Sequence, residues 1–168
     1  MPKMTSEEVA VFLSEPRQLL RLGTVDSDSM PSVVPIWFLY RDERIWFTPR
    51  ARSEWFDHLR ANPKVCATID ESNGSMRKVI AKGEATLEHD VGNDDAWRDI
   101  YRDITMRYVP EGFGNAYLTD THDEPRGLWS LSMADARVAT WRMPTDPGEN
   151  PLSVWAPKYY HDGRQENA

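Results

Sequence analysis

The chain has 168 residues, 40% of them hydrophobic, and carries a formal net charge of −7 at pH 7. That length suffices for one domain with a sizeable core, and the acidic balance argues against partners such as nucleic acid or an anionic membrane surface. The single cysteine, Cys66, excludes an internal disulfide. The longest apolar run, Val33 to Tyr40, is too short to span a bilayer, and the first residues lack a signal-peptide pattern. We therefore expect a soluble, cytoplasmic protein.

The first part of the chain predicts a helix followed by two strands. In the segment TSEEVAVFLSE, Thr5 stands at a capping position with Glu8 three residues later, the spacing of a capping box. Strands are predicted over 18–25 and 32–40. The second strand is apolar on both faces, so we expect it to be covered on both sides. Pro35 has no N–H to donate, which places it at a bulge or an unpaired edge.

The rest of the chain predicts short strands with helical insertions. Gly83 lies inside a long predicted strand and indicates a bulge or a bend. The close spacing and hairpin-like connections exclude a parallel doubly wound sheet. In chain order, these elements are a hairpin turn at 41–44, a strand over 45–48, a helix over 53–62, strands over 64–70 and 77–88, a helix over 94–108, an irregular loop over 109–126, and strands over 127–131 and 136–141.

These elements predict a mainly β fold of six to seven antiparallel strands with about three helices. Strands in this arrangement favour a closed barrel. No internal repeat or break in composition divides the chain, so we assign residues 1–142 to one domain. Residues 143–168 form a Pro-rich tail, which we expect to lie over the surface or over a partner subunit.

Common catalytic and metal-binding motifs are missing from the sequence. There is no Gly-rich phosphate loop and no Gly-x-Ser-x-Gly elbow. None of the four histidines has a second ligand at helical or hairpin spacing, and the acidic cluster around His122 is more typical of a solvated loop. Cys66 lies in the middle of a strand, as an inert buried thiol does. We therefore predict no metal site and leave the catalytic residues unassigned.

A basic turn after the strand over 45–48 is the most informative feature for function. Thr48 ends that strand, Arg50 and Arg52 follow it, and Ser53 begins a helix. Guanidinium groups, hydroxyls and the N–H groups of a helix start together form the donor set that a phosphate requires. Surface arginines with no ligand are an equally good interpretation of the residues by themselves.

Several short segments carry a resemblance to a known family. They are VPIWF at 34–38, IWFT at 45–48, LRANPKV at 59–65, GEA at 83–85 and ARV at 136–138. In this order and spacing, the chain from about Thr5 to Trp141 resembles the pyridoxamine 5′-phosphate oxidase-like family of flavin- and deazaflavin-binding split barrels. The resemblance implies a split β-barrel, a homodimer, and a flavin held in a cleft between the two barrels.

The resemblance also implies a function and a cofactor. FMN is the leading cofactor, for an oxidoreductase that acts on a small organic substrate, because in this family the flavin transfers hydride and the protein positions it. The alternatives are a deazaflavin-dependent reductase, or a non-catalytic ligand-binding or stress-related protein on the same scaffold. The residues implied at the flavin ring are Val34, Pro35, Ile36 and Trp37; those implied at the phosphate are Thr48, Arg50, Arg52 and Ser53; and Lys78 is implied as a further polar contact.

One departure from the family pattern bears on the cofactor. Many flavin-binding members have a basic pair at the start of the short helix, where this chain has Glu54 and Trp55. A carboxylate beside a phosphate opposes binding. Either Arg50, Arg52 or Lys78 compensates for it, or the site has lost its cofactor or adapted to another ligand.

Two aromatic residues and one loop are further candidates near the substrate. Tyr108 ends the last predicted helix, the loop over 109–126 follows it, and Trp129 lies in the next predicted strand. They could shape the substrate side of the cleft. For both aromatic side chains, packing in the core is the simpler interpretation.

Overall fold

The computed structural model describes residues 4–144 except 73 and 93, together with residues 146 and 148. Within these residues the chain forms nine strands and four α-helices, and every strand pairing is antiparallel. The predicted mainly β, split-barrel class is confirmed, but the predicted numbers of strands and helices are too low. The predicted Pro-rich tail over 143–168 lies almost entirely outside the described residues. None of the helices described is long and apolar enough to cross a membrane.

The elements are numbered in chain order. The helices are α1 (Ser6–Ser14), α2 (Glu54–Ala61), α3 (Arg98–Met106) and α4 (Glu111–Asp120). The strands are β1 (Leu20–Val25), β2 (Pro31–Ile36), β3 (Leu39–Arg41), β4 (Arg44–Phe47), β5 (Lys64–Asp70), β6 (Lys78–Glu84), β7 (Thr86–His89), β8 (Leu128–Ser132) and β9 (Arg137–Trp141).

The strands form two sheets. One has the order β2-β1-β5-β6-β9 and the other the order β3-β4-β8-β7. The strand predicted over 32–40 divides at residues 37–38 into β2 and β3, and the one predicted over 77–88 divides at Ala85 into β6 and β7. Each prediction was wrong in the same way, because the extended chain passes from one sheet into the other at a corner, where Phe38 and Ala85, respectively, are buried. The sheets stay separate, so the predicted closure of the barrel is also wrong.

The hydrophobic core lies between the two sheets and under α1. Phe12 and Leu13 of α1 are fully buried against strand residues such as Leu20, Phe47 and Ile69. Burying each such side chain contributes ~1.5–3 kcal/mol of transfer free energy. The core therefore holds the sheets in fixed relative positions.

The capping box predicted at the start of α1 is confirmed. The Glu8 backbone N–H donates to the Thr5 hydroxyl at 3.1 Å, and the Thr5 N–H donates to the Glu8 carboxylate at 2.7 Å. These bonds satisfy N–H groups that have no partner inside the helix.

Strand β2 lies at one edge of its sheet and is not covered on both sides. Pro31, Val33 and Pro35 alternate along one exposed face, whereas the residues between them are half-buried. The prediction of coverage on both faces is therefore wrong. The expected edge position of Pro35 is confirmed, because β1 is the only strand paired with β2 in the described sheet.

Gly83 itself forms neither the predicted bulge nor the predicted bend, because the chain bends two residues later, at Ala85. Gly83 lies in regular register opposite Val65, and the irregular pairing falls between Leu87 and His89. A Cβ atom at Gly83 would lie 3.1 Å from Cδ1 of Leu131. The glycine therefore permits close approach between neighbouring elements.

Helical structure at 94–126 differs from the prediction. The helix predicted over 94–108 is a 3₁₀ turn at Asp94–Trp97 followed by α3. The segment predicted as an irregular loop over 109–126 contains α4, which includes two glycines. Their low helix propensity hides this helix from local sequence analysis, and packing against α3 supports it.

Candidate functional site

A cavity of about 430 Å³ lies where the β2–β3 corner meets the start of α2, one face of α3 and α4. That volume is within the usual range for sites that take small ligands. Six of the nine residues predicted at the cofactor line the cavity, and five further residues complete it. The predicted residues are Pro35, Ile36, Trp37, Thr48, Arg50 and Ser53, and the others are Trp55, Tyr101, Ile104, Tyr117 and Arg126.

The remaining three predicted residues lie outside the lining. Val34 is half-buried and packs on the main core. Arg52 is exposed and lines a neighbouring cavity. Lys78 lies at the start of β6, with its Nζ 5.3 Å from the ring centre of Trp141. Their assignments to the cofactor stay predictions.

Arg50 and Arg126 stand opposite each other on one wall of the cavity. Strand β4 pairs with β8 so that Phe47 faces Trp129, and the same register carried three residues further makes an antiparallel bridge between the two arginines. The Ala51 N–H donates to the Pro125 carbonyl at 2.9 Å in this extension. Backbone pairing thus brings two cations together at the end of two strands.

Arg126 is the functional residue that sequence analysis missed. Its side chain is only 6% exposed, lies 4.5 Å from the ring centre of Tyr101, and donates to the Thr48 carbonyl at 3.3 Å. Its buried Nε has no hydrogen-bond partner within the described residues. The one signal in the sequence is that an arginine directly precedes the strand predicted over 127–131. A buried guanidinium with a donor to spare suits an anion.

Tyr117 of α4 places a phenol between the two arginines. Its hydroxyl accepts from Arg50 at 3.5 Å and from Arg126 at 3.4 Å. Burial favours the neutral phenol, but the hydrogen bond with Tyr101 and the charges of Arg126 and Arg50 outweigh it and lower the pKa of Tyr117. Burial raises the pKa of Tyr101 to about 12. The cavity therefore concentrates positive charge at the Tyr117 hydroxyl.

A carboxylate from the loop after α4 also contacts the arginines. Glu124 Oε2 lies 2.6 Å from Arg50 Nε and 3.8 Å from Arg126, while its Oε1 lies 2.6 Å from Arg52. Burial opposes the charged form of Arg50, yet its hydrogen bond to Tyr117 and the charges of Tyr117 and Glu124 raise its pKa. Arg50 therefore stays charged and is held in place.

The start of α2 contributes the remaining polar groups. Ser53 occupies the N-cap position, and its hydroxyl donates to the Arg50 carbonyl at 2.7 Å instead of capping the helix. Trp55 lines the cavity and packs against Phe47, with ring centres 6.2 Å apart. Glu54 is exposed and is not part of the lining. The carboxylate expected to oppose a phosphate thus lies outside the cavity lining.

The aromatic wall is built around Trp37 at the β2–β3 corner. Its ring stacks on Tyr108 with centres 5.0 Å apart, and it meets Tyr117 edge-on at 5.6 Å. Tyr108 is fixed in turn, because its hydroxyl donates to the Gln18 carbonyl at 2.6 Å. Trp129 is buried in the core, the simpler interpretation given for it above.

Comparison with known proteins agrees with the fold. A family model described as pyridoxamine 5′-phosphate oxidase matches residues 5–140. The chain belongs to this family. No curated protein matches the sequence.

Several solved structures have a fold similar to that of this member of the oxidase family. A conserved hypothetical protein from Mycobacterium tuberculosis has 19% identity and a TM-score of 0.66, over 89% of this chain and 94% of that one. A protein named F420 reductase has 20% identity and a TM-score of 0.58, over 83% and 98%. A FAD-binding protein from Mesorhizobium loti has 18% identity and a TM-score of 0.59, over 83% and 93%. At these identities the likeness shows a shared fold.

The cavity of this chain has polar, positively charged residues that suit an anion, next to an apolar surface. Arg50, Arg126 and the Thr48 hydroxyl supply donors, while Ile36 and its neighbours supply apolar surface. Among the described residues, no group of three or more His, Cys, Asp or Glu could hold a metal ion. The arrangement suits a ligand that is apolar at one end and anionic at the other.

Proposed function

We propose that this protein binds FMN and acts as a flavin-dependent oxidoreductase on a small organic substrate. The observation that carries the proposal is the convergence of Arg50 and Arg126 in a cavity that also contains the Trp37 ring. A planar ring joined to a phosphate monoester has the matching chemistry. The names of two solved relatives, a FAD-binding protein and an F420 reductase, add support for a flavin-type cofactor.

The polar wall fits the phosphate of FMN. Two guanidiniums supply the charge that a dianion requires, and the buried Nε of Arg126 supplies a donor whose acceptor is missing from the described residues. The first turn of α2 adds backbone N–H groups, since Ser53 does not cap them with its side chain. Thr48 and Ser53 stand beside these donors.

The apolar wall fits the flavin ring. Pro35, Ile36 and Trp37 follow one another along the chain, and Ile104 of α3 also lines the cavity. These side chains would exclude water from one face of the ring and hold it in a fixed orientation. FMN, when bound, supplies hydride-transfer chemistry, and the protein supplies position and electrostatics.

Substitution of Arg50 tests the phosphate assignment. Arg50→Gln should weaken FMN binding by about 10- to 100-fold, because a charged hydrogen bond contributes ~1.5–3 kcal/mol. Binding of riboflavin, which has no phosphate, should stay unchanged. Quenching of tryptophan fluorescence during titration measures both affinities.

The matched control is Arg60→Gln. Arg60 is also a half-exposed arginine in an ion pair, with Asp90, but it does not line the cavity. We expect the Arg60→Gln variant to bind FMN with the same affinity as the unaltered protein. Equal loss of FMN and riboflavin affinity in the Arg50 variant, or no FMN binding by the unaltered protein, would contradict the proposal. The FMN-loaded protein should also lose its flavin absorbance when a hydride donor is added.

A deazaflavin coenzyme is the second candidate, because a neighbouring cavity has space for its longer acidic tail. This cavity of about 410 Å³ shares Arg50 with the first and gives room beyond the phosphate. Glu124 lines it as well, however, and its carboxylate would repel the acidic tail of a deazaflavin coenzyme. Side-by-side titrations with FMN and the deazaflavin coenzyme decide between the two, and we expect FMN to bind more tightly.

We also propose that the protein is a homodimer. The cavity borders the exposed face of β2 through Pro35, and the same face carries exposed Val33. A second copy packed on this face would shield both the apolar strand and one side of the cavity.

A further inference from the structure

Glu124 places a negative charge inside the group of arginines described above. Its two carboxylate oxygens each lie 2.6 Å from a guanidinium nitrogen, one on Arg50 and one on Arg52. Arg126 is the third guanidinium, at 3.8 Å. One carboxylate among three guanidiniums leaves an excess of two positive charges.

The backbone holds Glu124 in this position. Its N–H donates to the Thr121 carbonyl at 3.2 Å, and the next residue, Pro125, accepts from the Ala51 N–H at 2.9 Å. The loop is therefore tied to the turn that carries Arg50. A ligand anion can displace the Glu124 side chain, but the loop itself stays beside the arginines.

We propose that Glu124 competes with the ligand's phosphate for Arg50, so that the phosphorylated ligand is held as an exchangeable cofactor. The proposal rests on the proposed function, since it takes the anion to be a phosphate. The Arg50 Nε already faces the Glu124 carboxylate at 2.6 Å. An incoming phosphate must displace this carboxylate or bind next to a like charge, and either event lowers its affinity. The competition acts on the phosphate and leaves the affinity for unphosphorylated ligands unchanged.

Asp123 provides a matched control for the charge. It precedes Glu124 in the same loop, its side chain is fully exposed, and its one described ion pair is with His122. Glu124→Gln and Asp123→Asn therefore remove the same formal charge from adjacent positions. Only the first of them removes a contact with the arginines.

Titration with inorganic phosphate and with phenyl phosphate tests the competition without a flavin. Glu124→Gln should bind both about tenfold more tightly than the unaltered protein, whereas Asp123→Asn should stay within about twofold. Equal tightening in both variants would mean a general charge effect and would overturn the proposal. Weaker binding in Glu124→Gln would mean that Glu124 positions the arginines, and would overturn it as well.

A double-mutant cycle with Arg52 gives a second, independent test. Arg52 is 75% exposed and does not line the first cavity, but it holds one oxygen of Glu124. In Arg52→Gln the carboxylate keeps only its inner partners, so phosphate binding should weaken about two- to fivefold. In the Glu124→Gln background the same change should have no effect. An equal loss in both backgrounds would show direct contact between Arg52 and phosphate and would contradict the competition.

Thermal unfolding checks that each variant is folded. If Glu124→Gln is unstable, Glu124→Asp replaces it: this variant draws the carboxylate back by one methylene and should also raise the affinity for phosphate.

The outcomes separate this proposal from the proposed function. Tighter phosphate binding in these variants, with no FMN binding by any of them, would contradict the FMN assignment and leave the competition standing. FMN binding by the unaltered protein, with the same phosphate affinity in all variants, would support the FMN assignment and contradict the competition.

Discussion

Arg77 connects the N-terminal helix to the end of β5. Its guanidinium donates to both carboxylate oxygens of Glu15 at 2.8 Å and to those of Glu71 at 2.8 and 2.7 Å. It also lies 4.6 Å from the ring centre of Phe12. The hydrogen bonds from Arg77 lower the pKa of Glu71, although burial acts in the opposite direction. Glu71 is thus a charged residue with a stabilising role, and it is not among the residues that line the cavity.

Replacing Glu71 should make stability depend on pH less steeply. A lowered pKa means that ionised Glu71 stabilises the fold above its ordinary pKa of ~4.3 and loses this contribution as the pH falls. We expect Glu71→Gln to lower the free energy of unfolding by about 1–3 kcal/mol at pH 7 and by progressively less below pH ~4. Urea unfolding of both proteins at pH 7 and below pH ~4 measures this difference in the free energy of unfolding.

The control is the neighbouring Asp70, whose carboxylate pairs with Arg21 at the surface. Exposed pairs contribute ~0–1 kcal/mol, so Asp70→Asn should have a smaller effect. A loss in Glu71→Gln that stays constant down to low pH would show that the charge of Glu71 is not responsible.

At the scale of elements, Gly127 lets α2 pack against β8. A Cβ atom there would lie 2.9 Å from Cε2 of Phe56 and 3.1 Å from Nε1 of Trp129. Both neighbours are buried aromatic rings with little freedom to move. Because Gly127 directly follows Arg126, this contact also fixes one wall of the cavity.

Gly127→Ala should therefore destabilise the protein and weaken FMN binding. We expect a loss of about 1–3 kcal/mol in the free energy of unfolding, the usual effect of overpacking, and weaker FMN binding. Gly112→Ala in α4 is the control, because it adds a Cβ into open space and should stabilise the helix by up to ~1 kcal/mol. Chemical unfolding measures both, and equal effects of the two substitutions would refute the steric explanation.

At the scale of the whole molecule, the exposed face of β2 is the feature to explain. Val33 is 66% exposed and Met30, just before the strand, is 64% exposed. Pro31 and Pro35 cannot donate to another strand, so a second copy would pack on side chains instead of extending the sheet. This favours a dimer formed through the face beside the cavity.

Val33→Asp should convert the proposed dimer into a monomer. A carboxylate buried in an apolar interface is strongly unfavourable, and sedimentation velocity would show the lower mass. Val11→Asp is the control, since Val11 is also 56% exposed but lies on α1. A monomeric unaltered protein, or a Val33→Asp variant that remains dimeric, would rule out this interface. Loss of FMN affinity along with the dimer would indicate that the partner completes the cavity.

The sequence by itself determined the features that depend on neighbouring residues. The capping box at Thr5 and Glu8 set the start of α1, and the alternation over 64–70 set β5, because caps and periodicity are local. The ordered segments from 34 to 138 indicated the family and its split barrel. They also indicated six residues of the cavity, since these follow one another closely along two stretches of chain.

Only the tertiary structure decided which distant residues lie beside these six cavity residues. Tyr117 lies 67 positions from Arg50 and belongs to a helix whose glycines make its sequence resemble a loop. Arg126 lines the cavity and Glu124 contacts its arginines because β4 pairs with β8, and no local pattern records that register. The same holds for the two corners at which the extended chain passes from one sheet into the other. Contacts of this kind depend on how the core closes, and their energies are absent from any short window of sequence.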